Sequence, residues 1–241
     1  GDTIEKPFFK STPNQLETFN YVVANPPFSQ KGWIKGEIKI NDTFGRWGNS
    51  DNLYPIPPVG YEDYAFLLHI IKSINSQGRG ACILPNGVLF RGNEEGRIRE
   101  KLVKSDLIEA VVTLGDKLFY GTGLSPCFLI LRRLKPAAHS ARVLMIDGTK
   151  ILTVKRAQNI LSPENVDRLY ELYINYEDVE DFAKVVTLDA IAAKDYDLSP
   201  NKYVEYHKEE IRPYAEVLAE FKAAYEEVKR CEEEFRKLIN L

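Results

Sequence analysis

Asn25, Pro26, Pro27 and Phe28 follow one another directly and are the residues best suited to chemistry. The Asn25 amide oxygen and the Pro26 carbonyl are two acceptors, and the prolines restrict the backbone that carries them. Two fixed acceptors suit an aromatic amino group such as N6 of adenine, whose delocalised lone pair is a poor nucleophile until its hydrogens are held. Phe28 adds a flat face for a base taken out of its duplex. The pattern predicts methyl transfer to adenine N6, with these four as catalytic residues.

The segment before this loop predicts where it lies. Residues 19–24 (FNYVVA) are rich in β-branched and aromatic side chains and stop at the double proline, which predicts a buried strand. Ligands of open α/β sheets bind at the carboxyl ends of strands, so the loop lies where a ligand is expected. The competing interpretation is an ordinary proline turn in which Phe28 only packs within the loop.

The chain beyond residue 60 alternates between helical and strand patterns. This rhythm predicts helices covering a parallel sheet, an α/β fold. The link before the strand at 127–134 is too short for a crossover helix, so that strand should pair antiparallel with the preceding one. The predicted elements are a helix at 61–75, a strand at 79–85, a helix at 93–104 capped by Asn93, strands at 107–114 and 127–134, an edge strand at 142–147, and a helix from the Ser162 cap to about 176.

The last segment, 207–241, has a different character. Its large apolar residues recur at intervals of three and four among dense charges, which predicts one long amphipathic helix with a narrow apolar seam. Two interpretations are open. The helix folds back on its own domain, or it is a coiled-coil arm for a partner helix.

Composition limits the function classes. The formal net charge of −3 disfavours a protein that grips nucleic acid by charge alone. Neither the three histidines nor the three cysteines have metal-ligand spacing, so no metal is expected and the cysteines are predicted to be reduced and structural. No apolar run reaches the length of a membrane span and no leader pattern is seen, so no membrane partner and a cytoplasmic location are expected. The chain starts without Met, which suggests a fragment of a longer polypeptide.

A family resemblance follows from these segments. The Asn25–Phe28 tetrapeptide resembles motif IV of the amino-methyltransferases. Residues 19–29, 78–133 and 195–205 are similar to the modification (methylation) subunit of type I restriction-modification systems, and the likeness covers nearly all of residues 1–205.

The resemblance implies a class I S-adenosylmethionine-dependent (Rossmann-like) fold of which only the second half is present, with the tetrapeptide closing its fourth strand. It implies adenine-N6 methylation of DNA in a defence system, with S-adenosylmethionine as cofactor. The implied partners are DNA, a specificity subunit, a restriction (motor nuclease) subunit and a second methylation subunit. The implied domains are 1–150 (catalytic), 151–206 (family-specific extension) and 207–241 (partner-docking helix).

The resemblance also bears on the cofactor site. Asn25 and Asp2 are the expected cofactor contacts, although an exposed terminal aspartate is the plainer interpretation of Asp2. The glycine-rich loop is expected upstream of Gly1, because Gly78-Arg79-Gly80 and Gly121-Thr122-Gly123 do not fall in a strand-to-helix turn and are interpreted as turns.

Other segments have two interpretations each. Pro85-Asn86-Gly87 either lines the cleft or forms a simple turn. The basic run in the helix at 93–104 and at Arg91 either faces DNA or a partner, or is a solvated helix face. Trp33, Phe44 and Trp47 either shape the base pocket or pack their long loop. The rival functions are methylation of RNA or protein, and an inactive partner-binding fragment.

Overall fold

The computed structural model describes residues 2–31, 33, 42–119, 123–207 and 213–238. The chain divides into two compact units, Gly1–Tyr206 and His207–Leu241. The elements of the first unit are β1 (Lys10–Thr12), β2 (Gln15–Leu16), β3 (Phe19–Ala24), α1 (Asp63–Ser73), β4 (Ile74–Pro85), α2 (Asn93–Lys104), β5 (Ile108–Leu114), β6 (Pro126–Arg132), β7 (Arg142–Gly148), α3 (Pro163–Asn175), β8 (Ala183–Thr187) and α4 (Leu188–Ala192). Short 3-10 helices lie at Asn86–Leu89, Ala137–His139 and Pro200–Lys202.

Six strands form one sheet in the order β3-β4-β6-β5-β7-β8, while β1 and β2 form a separate antiparallel pair. β3 runs parallel to β4, and β5 runs parallel to β7. β6 lies between β4 and β5 and is antiparallel to both, which confirms the prediction that it pairs antiparallel with β5. β3, β4, β5 and β7 therefore point the same way, and their carboxyl ends meet at one edge of the sheet.

The core lies on both faces of this sheet because successive strand residues point to opposite sides. On β5 every residue is buried, with Val111 in the cluster that α1 and α2 cover and Val112 in the cluster beside α3. Cys82 and Cys127 are unpaired and buried in the first cluster, as the sequence predicts, whereas Cys231 is exposed. Burial raises the pKa of Cys82 to about 12, so this thiol is not a nucleophile at neutral pH.

β3 is not the buried strand that its composition predicts. Tyr21 is 75% exposed and Val23 is 79% exposed. The reason is that β3 lies at the edge of the sheet, where only the side chains of the other face, such as Val22 and Ala24, pack against the core. Apolar character along a strand shows that it can be buried, but only its place in the sheet decides which face is covered.

The strand predicted at 142–147 is not at an edge. β7 is paired on both sides, because β8 runs antiparallel to it and forms the outer strand. β8 comes from residue 183 onward, so the segment 151–206 contributes a strand and helix α3 to the first compact unit. Long-range pairing of this kind leaves no signal in the local pattern of β7.

The N-caps predicted for helices α2 and α3 have different outcomes. Asn93 does not cap α2: the N-cap is Gly92, and Asn93 is the first helical residue with a φ of 55°. Asparagine tolerates this left-handed backbone better than most residues. Ser162 does cap α3, as predicted: its hydroxyl accepts from the Asn165 amide, and the Asn165 side-chain oxygen accepts from the Ser162 amide, which completes a capping box with Pro163 at the first helical position.

The second unit contains the helix α5 (Tyr214–Leu238), which confirms a long amphipathic helix from residue 214 onward. Ile211, which the sequence places in the same seam, lies outside the described residues. The rings of Phe221 and Tyr225 stack along the seam with centroids 6.3 Å apart. Throughout the described part of the chain, no helix is long and apolar enough to cross a membrane.

Candidate active site at the carboxyl ends of the strands

Asn25 follows directly on β3, whose last residue Ala24 lies beside Cys82 of β4. Its side chain is exposed, and it makes no hydrogen bond to any residue that the structure describes. Pro26 is buried, but its carbonyl oxygen likewise accepts no hydrogen bond from the described residues. Within the described chain neither acceptor that the sequence singles out is engaged, and the exposed Asn25 side chain is accessible to a ligand.

Phe28 is half-buried and contacts Phe119 edge to face, with ring centroids 5.5 Å apart and an interplanar angle of 69°. Phe119 follows β5, so the two rings come from loops at the same edge of the sheet. Sequence reasoning missed Phe119. Part of its signal was in the sequence, since Phe119 precedes the turn predicted at Tyr120–Gly123, but nothing local connected it to Phe28 across 91 positions.

The loop ends at Ser29, which has a left-handed backbone with φ of 49°. Its amide donates to the Asp63 carboxylate over 2.8 Å, and its hydroxyl lies 3.3 Å from the other oxygen of that carboxylate. Asp63 is the first residue of α1 and is fully buried. It was missed by sequence reasoning, because an acidic residue in the first helical turn is ordinarily explained by the helix dipole.

Arg91 joins this group. Its Nη2 lies 2.7 Å from Asp63 Oδ2 and its Nε lies 2.6 Å from Glu95 Oε2. Its guanidinium lies 4.3 Å from the centroid of the Tyr61 ring. Burial raises the pKa of Glu95 above its ordinary value, against the lowering effect of Arg91. One cation thus bridges two buried carboxylates beside the Asn25–Phe28 loop.

The basic run does not behave as one surface. Arg99 is buried and donates to the carbonyls of Val88, Arg91 and Tyr196, so its role is to connect α2 to neighbouring segments. Arg97 and Lys104 pair with acidic residues on the exposed side of α2, which fits a solvated face. For Arg91 and Arg99 the solvated-face interpretation is wrong, because tertiary contacts bury Arg99 and leave Arg91 half-buried against Asp63 and Glu95.

Pro85 ends β4 beside the loop that follows β3, and Asn86 and Gly87 continue into a 3-10 helix. The Asn86 side-chain oxygen is buried and has no hydrogen-bond partner within the described chain. A Cβ at Gly87 would lie 3.1 Å from the Arg91 guanidinium carbon, so glycine leaves room for that side chain. The turn lies at the same edge of the sheet as Asn25, and its contact with a ligand stays a prediction.

The aromatic residues of the long loop pack within the protein. Trp33 and Trp47 are buried and contact each other edge to face at 5.6 Å, and the Trp33 indole donates to the Pro58 carbonyl. Arg46 is buried, and its guanidinium lies 4.4 Å from the ring centroid of Trp47 and 5.2 Å from that of Phe44. Loop packing is therefore the role that these contacts favour for both tryptophans.

Asp2 and the two glycine pairs are the remaining residues that the sequence analysis considered for cofactor binding. One oxygen of Asp2 accepts hydrogen bonds from the amides of Ile4 and Glu5, and the other has no partner among the residues described. Gly78 and Gly80 lie inside β4 rather than in a turn, and a Cβ on Gly78 would meet the carbonyl of Phe19. They allow β4 to approach β3 and α1 closely. Gly121 and Thr122 lie outside the described residues.

The sheet and the loop at its carboxyl edge define a class of protein. The fold is that of the class I S-adenosylmethionine-dependent methyltransferases, as the sequence resemblance implied. The chain belongs to the N-6 DNA methylase family, whose model matches residues 1–211.

Named relatives agree with this family. The chain is 35% identical over 232 residues to the methylase subunit of the type I restriction enzyme MjaIX of Methanocaldococcus jannaschii, covering 92% of this chain and 41% of that protein. It is 30% identical over 218 residues to the HindI methylase subunit of Haemophilus influenzae, covering 86% and 47%. The crystal structure of a type I restriction-modification methyltransferase subunit from Streptococcus thermophilus matches with a TM-score of 0.72 and 28% identity, covering 86% of this chain and 42% of that one. The chain thus spans less than half the length of these relatives.

Proposed function

We propose that this chain supplies the target-base site of an adenine-N6 DNA methyltransferase, the methylation subunit of a type I restriction-modification system. The observation that carries the proposal is a pair of acceptors at the carboxyl end of β3, the Asn25 amide oxygen and the Pro26 carbonyl, that have no hydrogen-bond partner among the described residues. Membership of the N-6 DNA methylase family supports adenine as the acceptor.

The chemistry follows from what these residues can hold. S-adenosylmethionine, when bound, supplies an electrophilic sulfonium methyl group. Asn25 and Pro26 accept hydrogen bonds from the two N6 hydrogens, which favours a more tetrahedral nitrogen with its lone pair directed away from the ring. Neither acceptor needs to remove a proton first, because the surplus N6 proton passes to water once the methyl group has transferred. Asn25 therefore acts by orienting the amino group and stabilising the charge that develops on it.

The two aromatic rings complete the proposed base site. Phe28 and Phe119 meet edge to face, so one of them can present its flat face to an extruded adenine while the other fixes its orientation. Stacking of a base on an aromatic ring is worth ~1–3 kcal/mol, a useful part of the cost of extruding it from a duplex.

The described residues fit part of a cofactor site. Asp2 retains one carboxylate oxygen without a partner in the described chain, which suits a hydroxyl of the adenosine portion, and the Asn25 side chain is exposed at the carboxyl end of β3. The glycines of β4 are occupied by strand packing and do not fit a phosphate or methionine cradle. We therefore assign Asp2 and Asn25 a supporting contact and the main cofactor loop to other residues of the full-length protein.

The partners follow from charge and from α5. A net charge of −3 suits a subunit that relies on a separate specificity subunit to find its DNA site. The apolar seam of α5 suits docking to a helix of that subunit. A second methylation subunit and the motor nuclease subunit complete the proposed assembly.

The test measures labelled-methyl transfer from S-adenosylmethionine to DNA by the full-length protein assembled with its specificity subunit. Asn25→Ala should lose most of the transfer rate while cofactor binding persists. Asn175→Ala is the matched control, because the Asn175 side chain is also exposed and makes no hydrogen bond within the described residues. Equal labelling by wild type and Asn25→Ala, or labelling of RNA or protein alone, contradicts the proposal. If the chain of 241 residues binds partners but no cofactor, its isolated role is docking.

A further inference from the structure

The Asn25–Phe28 loop has few backbone torsions that can rotate freely. Pro26 and Pro27 fix their own φ, and each restricts the ψ of the residue before it. Phe28 and Ser29 are the first residues of the segment that lack this restraint. Ser29 has a left-handed φ of 49°, a conformation that is uncommon for serine and that neighbouring contacts help to maintain. What holds Ser29 therefore determines where the loop points.

Asp63 is the group that holds Ser29. Its carboxylate accepts the Ser29 amide at 2.8 Å and lies 3.3 Å from the Ser29 hydroxyl. The carboxylate is fully buried, and its position is fixed at the start of α1, whose following residues pack in the core. A hydrogen bond from a backbone amide to a buried carboxylate is stronger than one between neutral groups.

Arg91 fixes Asp63 in turn. Its Nη2 lies 2.7 Å from the same carboxylate, and its Nε is held by Glu95 at 2.6 Å. The guanidinium also lies over Gly87, which belongs to the turn after β4. One chain of contacts therefore ties the loop after β3 to the turn after β4, across the edge of the sheet where the base is proposed to bind.

We infer that Asp63 is a positioning residue for methyl transfer: through Ser29 it holds the Asn25–Phe28 loop in the geometry that its acceptors require. The inference rests on the proposed function for its catalytic consequence. Asp63 touches neither the base nor the cofactor in this scheme. Without it, Ser29 relaxes toward the right-handed or extended backbone, and the two acceptors and the Phe28 ring lose their common orientation.

A merely structural role makes a different prediction. If Asp63 only stabilised the start of α1, its loss would lower stability without a specific effect on the loop. Glu109→Gln is the matched control for Asp63→Asn, since each change replaces a buried, arginine-paired carboxylate by its amide. Glu109 lies near the amino end of β5, at the opposite edge of the sheet from Asn25.

The first measurement is hydrogen exchange by mass spectrometry on the full-length protein, following peptides that contain Ser29. Asp63→Asn should speed exchange at Ser29 by about tenfold or more, because its single amide oxygen cannot replace both carboxylate oxygens. Glu109→Gln should leave exchange at Ser29 unchanged. If Asp63→Asn also leaves it unchanged, Asp63 does not hold the loop and the inference is overturned.

The second measurement is the kinetics of the assembled enzyme. Asp63→Asn should lower the single-turnover rate by about 100-fold, the effect of a misplacement of roughly 1 Å, with KM for cofactor and DNA within about threefold of wild type. A rate no lower than that of Glu109→Gln also overturns the inference. If even wild type fails to methylate adenine, the proposed function fails, while the exchange result still decides whether Asp63 holds the loop. Should Asp63→Asn not fold, Arg91→Gln removes the cation that fixes Asp63 and should change both readouts in the same direction.

Discussion

Replacing Phe119 by alanine removes the ring that contacts Phe28 at 5.5 Å. If the two rings form the base site, two losses follow. Stacking of the extruded base is worth ~1–3 kcal/mol, and the edge-to-face contact that orients Phe28 is worth ~0.5–1.5 kcal/mol. The two losses are not independent, because a misoriented Phe28 also stacks the base less well. We therefore use the larger loss, that of base stacking, to predict the effect on the rate. A loss of ~1–3 kcal/mol corresponds to a rate lower by roughly 5- to 150-fold.

The assay is single-turnover methyl transfer by the assembled full-length protein, with 2-aminopurine fluorescence to follow base extrusion. Phe119→Ala should lower both the rate and the fluorescence change, with little effect on stability, because Phe119 is only half-buried. Phe119→Leu separates stacking from packing. Leucine keeps most of the apolar volume but has no flat face, so it should remain slow.

Two results would refute this reasoning. Full recovery by Phe119→Leu would show that the ring only fills space beside Phe28. A rate for Phe119→Ala within about twofold of wild type would show that the base does not use this ring at all.

The remaining predictions concern stability. His69 is half-buried, and its burial together with Arg46 lowers its pKa from the ordinary 6.5 to about 4. Because this pKa is lower in the folded than in the unfolded state, the contribution of neutral His69 to the free energy of unfolding is fully present above pH 6.5. It is lost as the pH falls toward 4. We expect His69→Gln to flatten the pH dependence of urea unfolding in that window, and an unchanged slope would contradict the assigned state of His69. Ser162→Ala should cost about 1 kcal/mol, because it removes the capping box of α3. Ser162→Asp, which can also cap, should retain most of that stability in the same urea titration, and equal loss by both variants would argue against capping.

Local patterns predicted much of the first unit. The helices α1, α2 and α3 and the strands β3, β4, β5 and β6 all lie within a few residues of their predicted positions, apart from β4, which begins at Ile74 rather than Arg79. These elements are set by hydrophobic periodicity and by Pro and Gly punctuation, which act over short distances. The same short-range logic placed Asn25 and Pro26 at the end of a strand.

The arrangement of these elements was decided at longer range. Nothing local in β6 shows that it inserts between β4 and β5, or that β8 makes β7 an interior strand. Tyr21 and Val23 carry the apolar signature of a buried strand, yet they are exposed because β3 is the edge of the sheet. Strand order is a property of the whole sheet, so a single strand carries little record of it.

The sequence by itself predicts the chemistry proposed for the site, because the types and order of Asn25 to Phe28 limit what the loop can accept. Only the tertiary structure decided which other groups act with it. Phe119 contacts Phe28 from 91 positions away in the chain. Asp63 binds Ser29 from 34 positions away. Arg91 likewise pairs with Asp63, instead of lying on a solvated helix face, because the fold brings these distant residues together. Local periodicity reports how each element is built, whereas contacts between loops depend on how the sheet brings its carboxyl ends together.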